Sequence, residues 1–297
     1  MASSESGYTG GIHGERDAST TVRGCTPVNR VLNYLLSGGR VRREIAARLH
    51  AVVWAGRLLR SGSDVPEIRV LDEMISRSRV ALDVGAHAGN WTLNLARRIG
   101  PTGVVVAYEA LPHYGRALSM TLRLLRVKNA KVRVVAVGDS ERTISLRWRS
   151  QDKELLTGRT HIEPDAPASV DVIQIPMVSL DHDLESCGIR PSDVGFVKID
   201  VEGAELEVLL GASTLLSIGR PAVYLEIEPQ WVERMGHSVE DVFNEMLSHG
   251  YQPHLVSESG LTPTSVDSYL AQYASQRTYN NVLFLPASAP DVPAGSS

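Results

Sequence analysis

Four ionisable residues crowd one short segment, Val194-Gly-Phe-Val-Lys-Ile-Asp-Val-Glu-Gly-Ala-Glu205, as Lys198, Asp200, Glu202 and Glu205. Carboxylates and an ammonium this close can take a proton from a reacting group, hold a cationic ligand or stabilise a forming oxyanion. Gly195 to Ile199 is short, apolar and partly β-branched, as expected of a strand covered on both faces. Gly203 permits a tight turn, and Ala204 to Leu210 has helical composition ending at Gly211. The charges therefore stand at a strand's carboxyl end, the edge where open α/β sheets bind ligands. Lys198 and Asp200 are two apart and share a strand face. A buried lysine needs a carboxylate partner, which Asp200, Glu202 or Glu226 can supply. Lys198 thus either braces the strand end or joins the chemistry. Glu205, in the first helical turn, reads as a residue that serves the helix.

A second motif, Ala81-Leu-Asp-Val-Gly-Ala-His-Ala-Gly-Asn-Trp-Thr92, is an apolar strand ending in Asp83, with Gly85 and Gly89 bracketing a turn into a helix. Glycines there let the backbone pass close to a ligand. The spacing is not the full G-x-G-x-x-G dinucleotide fingerprint. A carboxylate before the first glycine repels a pyrophosphate but suits an ammonium or a sulfonium. Glu109 follows Gly89 by twenty residues, at the end of Val105-Val-Ala-Tyr-Glu109. An acidic side chain there can accept from both ribose hydroxyls of a nucleoside. Asp139, in Ala136-Val-Gly-Asp139, can accept from an adenine amino group or serve a turn.

These motifs need elements to hold them. Strands are expected at Val80–Val84, Val104–Tyr108, Val132–Val137, Val194–Ile199 and Ala222–Ile227, with helices at Asn90–Ile99, His113–Leu125, Ala204–Leu210 and Val239–His249. Late strands fit Gln252–Val256 and Asn281–Leu285. This alternation predicts an α/β fold with a doubly wound, mostly parallel, Rossmann-like sheet. Residues 78–286 form its domain, with an insertion at 143–178 that contains two strand-like segments, Thr143–Trp148 and Val170–Val178. Residues 27–77 read as a helical extension, a cap or a dimerisation element, with Pro66–Ile75 as its last short helix. Within it Val41, Ile45, Leu49, Val52, Gly56 and Leu59 form an apolar stripe expected to pack on a neighbouring domain or a second subunit, while the arginines are solvated. The other reading of such a basic amphipathic helix is that it lies on a membrane or holds an anionic partner. Residues 1–26 and 287–297 have the composition of disordered tails. The net charge of -4 lacks the basic footprint of a nucleic-acid binder. No apolar run reaches the ~18 residues of a membrane span. Cys25 and Cys187 match no disulfide or metal framework, which fits a cytoplasmic protein.

The chain resembles the FkbM-type methyltransferases, a family of class I S-adenosylmethionine-dependent enzymes. The resemblance runs through Asp83–Gly89, Glu109-x-x-Pro112, Ala136–Asp139, Val178-Ser-Leu-Asp181, Lys198-Ile-Asp-Val-Glu-Gly-Ala-Glu205 and the strand Asn281–Leu285. His87 departs from it, since the family more often has Asn there. The resemblance implies a class I methyltransferase sheet and S-adenosylmethionine as methyl donor, with S-adenosylhomocysteine as product. The donor's methionine end would meet Asp83, Gly85, Ala86, His87 and Gly89, its ribose Glu109, and its adenine Asp139 with Leu111 packed nearby. Asp200 would hold the methionine ammonium or act as base on a hydroxyl. Lys198 and Glu202 are further candidates for the chemistry, and His161, in the insertion, is a base that a lid can deliver. Asn280 and Asn281 can orient substrate or cap a turn. Glu226 and Glu228, with Asp200, can hold a divalent cation through oxygens. No H-x-D or H-E-x-x-H spacing supports that, so metal is the less favoured reading. The expected reaction is O-methyl transfer to a hydroxylated small molecule, a sugar or a polyketide-derived natural product. The rivals are a catalytically silent nucleoside-binding regulatory or scaffold protein and, behind it, a Rossmann dehydrogenase.

Overall fold

The computed structural model describes residues 35–36, 39–60, 67–147, 161–162, 172–276 and 281–287. The expected tails, most of the insertion loop, Pro66 and Asn280 lie outside them. At the centre is an eight-stranded sheet, and the site depends on how its middle is wound. β1 (Val80–Val84), β2 (Val104–Tyr108) and β3 (Ala130–Arg133) run outward in parallel to one edge. The chain then returns to place β8 (Val194–Ile199) on the other side of β1 and β9 (Ala222–Leu225) beyond it, both still parallel. β12 (Val282–Pro286) is antiparallel to β9, and β10 (Tyr251–Ser257) and β11 (Gly260–Pro263) complete the order β11-β10-β12-β9-β8-β1-β2-β3. The chain reverses its winding direction between β1 and β8, so their carboxyl ends flank a crevice. This is the doubly wound, mostly parallel sheet that the alternation predicts.

The strands form where the sequence is largely apolar. All five residues of β1 are buried, and Phe196, Val197 and Ile199 of β8 are no more than 1% exposed. Helices α2 (Ile68–Ser76) and α3 (Asn90–Ile99) cover one face through Ile68, Leu71, Ile75, Leu95 and Ile99. The other face is closed by Leu180 and Leu184 of α5 (Leu180–Ser186), Leu206 and Leu209 of α6 (Glu205–Leu210), and Val242 and Phe243 of α8 (Val239–Ser248). A third apolar cluster gathers under α4 (Pro112–Leu124). Among the described residues, no helix is long and apolar enough to cross a membrane.

Three points differ from the expected elements. The strand expected at Val132–Val137 is two. After Arg133 the chain leaves the main sheet, and β4 (Ala136–Val137) pairs with β7 (Val172–Val178) in a second sheet of order β4-β7-β5-β6, with β5 at Arg142–Arg147 and β6 at His161–Ile162. The insertion is therefore a small sheet seeded by the end of the third strand. Helices α5, α7 (Pro229–Arg234) and α9 (Val266–Gln276), and strand β11, have no counterpart among the expected elements. The third concerns α1 (Arg40–Arg60): among the described residues its stripe Val41, Ile45, Leu49, Val52 and Leu59 packs on no neighbouring domain and is 41–75% exposed. Its packed side is the opposite one, with Ala46, Ala47, His50, Ala51, Trp54 and Leu58 all buried. Alanines let α1 approach α4 closely enough for the Thr121 hydroxyl to reach the Ala51 carbonyl at 3.3 Å.

Asp183 ties helix α5 to the main sheet. Its carboxylate accepts from the Tyr108 hydroxyl at 3.0 Å and from Arg133 Nε at 3.2 Å, with a second contact from the same guanidinium. The carboxylate is 2% exposed and Arg133 39%, so the arginine end is partly hydrated and its share is discounted. Asp183→Ala leaves Tyr108 and Arg133 without their acceptor, and about 2–3 kcal/mol of stability should be lost in urea denaturation. Tyr108→Phe should cost about 1 kcal/mol. Equal losses would show that the ion pair does not brace the sheet.

Candidate active site

The crevice at the switch point is closed by the turn after β1. Gly85 has φ +79°, and a Cβ there would stand 1.8 Å from the Asp200 carbonyl oxygen at the end of β8. Only glycine lets the two strand ends approach this closely. Lys198 crosses the same gap. It lies opposite Asp83 in the β1–β8 register, and its ammonium donates at 3.0 Å to the Gly85 carbonyl and at 3.0 Å to Asp200 Oδ2, with Asp83 Oδ1 3.7 Å away. The Lys198 side chain is 3% exposed. Burial opposes its charge, but Asp200 and Asp83 outweigh it and raise the ammonium above the usual lysine range. Asp83 itself is wholly buried and accepts from the Thr92 hydroxyl of α3. These contacts make Lys198 a structural tie, one of the two roles left open by its position.

Beside this tie is a cavity of ≈ 180 Å³. Its carboxylates are Glu109, Asp200 and Glu202. Its apolar walls are Val84, Leu111, Val135, Ala136 and Val137, with Ile144 and Leu146 from the alternating face of β5 and Tyr108 and Tyr114 at the side. Of the residues singled out in the sequence, Gly85, His87, Glu109, Leu111, Asp200 and Glu202 line this space. Asp83 and Lys198 lie behind it, joined to each other and to Asp200. Ala86 is buried beneath the turn, and Gly89, at φ +86°, starts α3 where a Cβ would meet Leu118. Asp139 stands apart, paired with Arg142 on the surface at the end of β4, and is not among the lining residues. The side chain of His161 lies outside the described residues. Glu205 is buried, and one oxygen accepts from the Val201 and Gly203 amides at 3.2 Å each, so it holds the turn before α6 rather than facing the cavity.

Glu109 is held by the backbone. Its two oxygens accept from the Leu111 amide at 2.8 Å and the His87 amide at 2.9 Å. Burial pushes its pKa up to about 7 in spite of those bonds. Glu202 is pushed further, to about 8, first by burial and then by the charges of Asp200, Glu226 and Glu228. His87 and Glu202 both hold left-handed backbone, at φ 42° and 56°, which non-glycine residues adopt only when their surroundings impose it. Two of the four such residues described here thus line one cavity. Among the described residues, no group of three or more His, Cys, Asp or Glu side chains is placed to hold a metal ion.

The sequence reading misses the aromatic wall. Tyr114 of α4 meets the His87 ring edge-on at 5.0 Å between centroids, and Trp54 of α1 lies 5.5 Å from His87 and 5.4 Å from Tyr114. His50 stacks on Trp54 at 5.3 Å. Burial, then His87 and Arg57, lowers its pKa to about 4, so it stays neutral. Trp54 offers a signal only in retrospect, as the one large ring on the alanine-rich face of α1.

The family model described as the methyltransferase FkbM domain matches residues 83–253, more than half of the chain. This protein belongs to the FkbM methyltransferase family, and its sheet is the class I Rossmann-like methyltransferase sheet. No curated protein matches it. Among solved structures, it is similar to a methyltransferase FkbM from Methylobacillus flagellatus KT at 17% identity, over 82% of this chain and 59% of that one, with a TM-score of 0.45. The chain thus spans 59% of that protein's length. It is also similar to the O-methyltransferase TomG from Streptomyces achromogenes, involved in tomaymycin synthesis and solved with SAM, at 14% identity over 80% and 90% of the two chains and a TM-score of 0.40. An O-methyltransferase from Bacillus cereus, solved with SAH, matches at 12% identity over 88% and 98%, with a TM-score of 0.42.

Lys198→Met removes the counter-charge of a wholly buried Asp83. It should cost about 3–5 kcal/mol in chemical denaturation, with part of the loss recovered in Asp83→Asn/Lys198→Met. A single variant as stable as the parent would remove Lys198 from its place as the tie.

Proposed function

We propose that the protein is an S-adenosylmethionine-dependent O-methyltransferase acting on a hydroxyl of a small-molecule acceptor, with sugars and polyketide-derived compounds as the substrate types to try first. The observation that carries this reading is one cavity, at the switch point of a class I methyltransferase sheet, with a backbone-held Glu109 at one end and Asp200 with Glu202 at the other.

The lining suits such a donor. Each Glu109 oxygen uses one lone pair on a backbone amide and keeps acceptor capacity for a ribose hydroxyl. Leu111, Val135, Ala136, Val137, Ile144 and Leu146 offer apolar surface to a flat base. Asp200 supplies negative charge for the cationic end. When bound, S-adenosylmethionine supplies an electrophilic methyl group on a sulfonium. The remaining work belongs to the protein: to align the hydroxyl and to receive its proton. Asp200 is committed to Lys198 at 3.0 Å, which suits it for holding position. Glu202, with a pKa of about 8, has the match to operating pH that a general base needs. We therefore assign Glu202 as base and Asp200 as orienting residue, with the turn Gly85–Gly89 beneath the donor.

Calorimetry should show S-adenosylhomocysteine binding, with NAD inert. Glu109→Gln should weaken that binding about 10- to 100-fold, the range for losing charge-assisted hydrogen bonds. An unchanged affinity would remove the ribose assignment.

The pH dependence has a definite sign. Glu202 carries its proton below about 8, and only its ionised form accepts another. Methyl transfer should therefore rise with pH through this value and level off above it, while Glu202→Gln flattens the profile and retains S-adenosylhomocysteine binding. A parental rate that falls over that range would show that another group takes the proton.

A further inference from the structure

Helix α1 has two faces of different character. The inner face carries Ala47, Ala51 and Trp54 onto α4 and the cavity wall. On the outer face Val41, Val52 and Leu59 are 75, 63 and 67% exposed, and Ile45 and Leu49 are 42 and 41%. Five of the nine large apolar side chains that are exposed among the described residues therefore lie on this one helix, in one row. At about 100° per residue the row runs from Val41 to Leu59, nearly the whole helix, with Arg42 and Arg60 along one edge and Arg48 along the other. The helix carries six arginines and one glutamate. Arg48 remains 71% exposed even while paired with Glu44, and Arg60 bonds back to the Gly56 carbonyl, which lays it beside the row.

We propose that this face docks the protein on a lipid surface that carries negative charge. An apolar row edged by arginines on a helix lying flat matches the requirements of the membrane interface, where valine and leucine enter the acyl boundary and guanidinium groups meet anionic headgroups. A second copy of the chain fits less well. A strip about 30 Å long and 10 Å wide offers roughly 300 Å² per copy, or about 600 Å² in all, well below the ~1,200 Å² of a stable interface. It would also set one arginine-rich helix against another. A bilayer needs no such area and supplies the opposite charge. The inner face of the same helix reaches His87 through Trp54, so docking would hold the cavity within one helix diameter of the surface.

The test is flotation of the full chain with vesicles of phosphatidylcholine alone and of phosphatidylcholine with about one third phosphatidylglycerol. The parent should float with the anionic vesicles only, and less as salt is raised. Val41→Ser/Val52→Ser/Leu59→Ser and, separately, Arg48→Gln/Arg60→Gln should each reduce the floated fraction at least several-fold. Both should melt at the parental temperature and bind S-adenosylhomocysteine as the parent does, since none of these residues touches the cavity floor. No flotation, or equal flotation with neutral vesicles, would overturn the proposal. So would a parental mass in solution twice that of the chain that the serine variant abolishes, which would assign the face to a second copy.

Discussion

The ammonium of Lys198 bridges two strand ends that the chain reaches more than a hundred residues apart. It bonds to the Gly85 carbonyl beyond β1 and to the Asp200 carboxylate beyond β8, with the buried Asp83 within 4 Å. A parallel sheet that reverses its winding direction leaves an opening at this point, and both strand ends present carbonyls and carboxylates to it. Without a buried cation, that concentration of negative potential would oppose closure. The missing side chain of Gly85 is the steric half of the same device, because the Asp200 carbonyl occupies the place a Cβ would take. The cavity exists because these two conditions are met together.

Around the tie, carboxyl groups are sorted by what holds them. Glu205 is turned inward and serves the amides of its own turn. Glu109 is fixed by two amides, yet its oxygens still face the cavity. Asp200 is committed to Lys198. Glu202, on left-handed backbone, is surrounded by like charges and has the highest pKa among the cavity's carboxyl groups with a resolved shift. Four acidic residues, three of them from one short motif, thus become four chemically different groups. The difference comes from which atoms surround each carboxylate, since burial and neighbouring charge set the proton affinity.

Much of this was legible beforehand. The strands Val80–Val84, Val104–Tyr108 and Val194–Ile199 have the expected bounds because each is a largely apolar run ended by a turn. The glycine turn and the partnership of Lys198 with a carboxylate followed from local rules about positive φ and buried charge. What escaped was non-local. Apolar periodicity on α1 pointed to Val41, Ile45, Leu49, Val52 and Leu59, while the face that packs is the one with small residues, since alanine permits close helix approach. The sequence left Asp139 between a ligand contact and a turn, and its position at the surface beside Arg142 follows from the strand before it leaving the main sheet. Trp54 and Tyr114 showed no pattern, because their role depends on α1 crossing α4.

The amino-acid sequence by itself determined the class of fold, the switch-point crevice and the residue types along it, since these follow from hydrophobic period, turn chemistry and the cost of burying charge. Only the tertiary structure decided which of those residues face the cavity, which carboxyl group carries a raised pKa and which side of the first helix is left outside. Those outcomes depend on distances between segments far apart in the chain, and no local pattern encodes them.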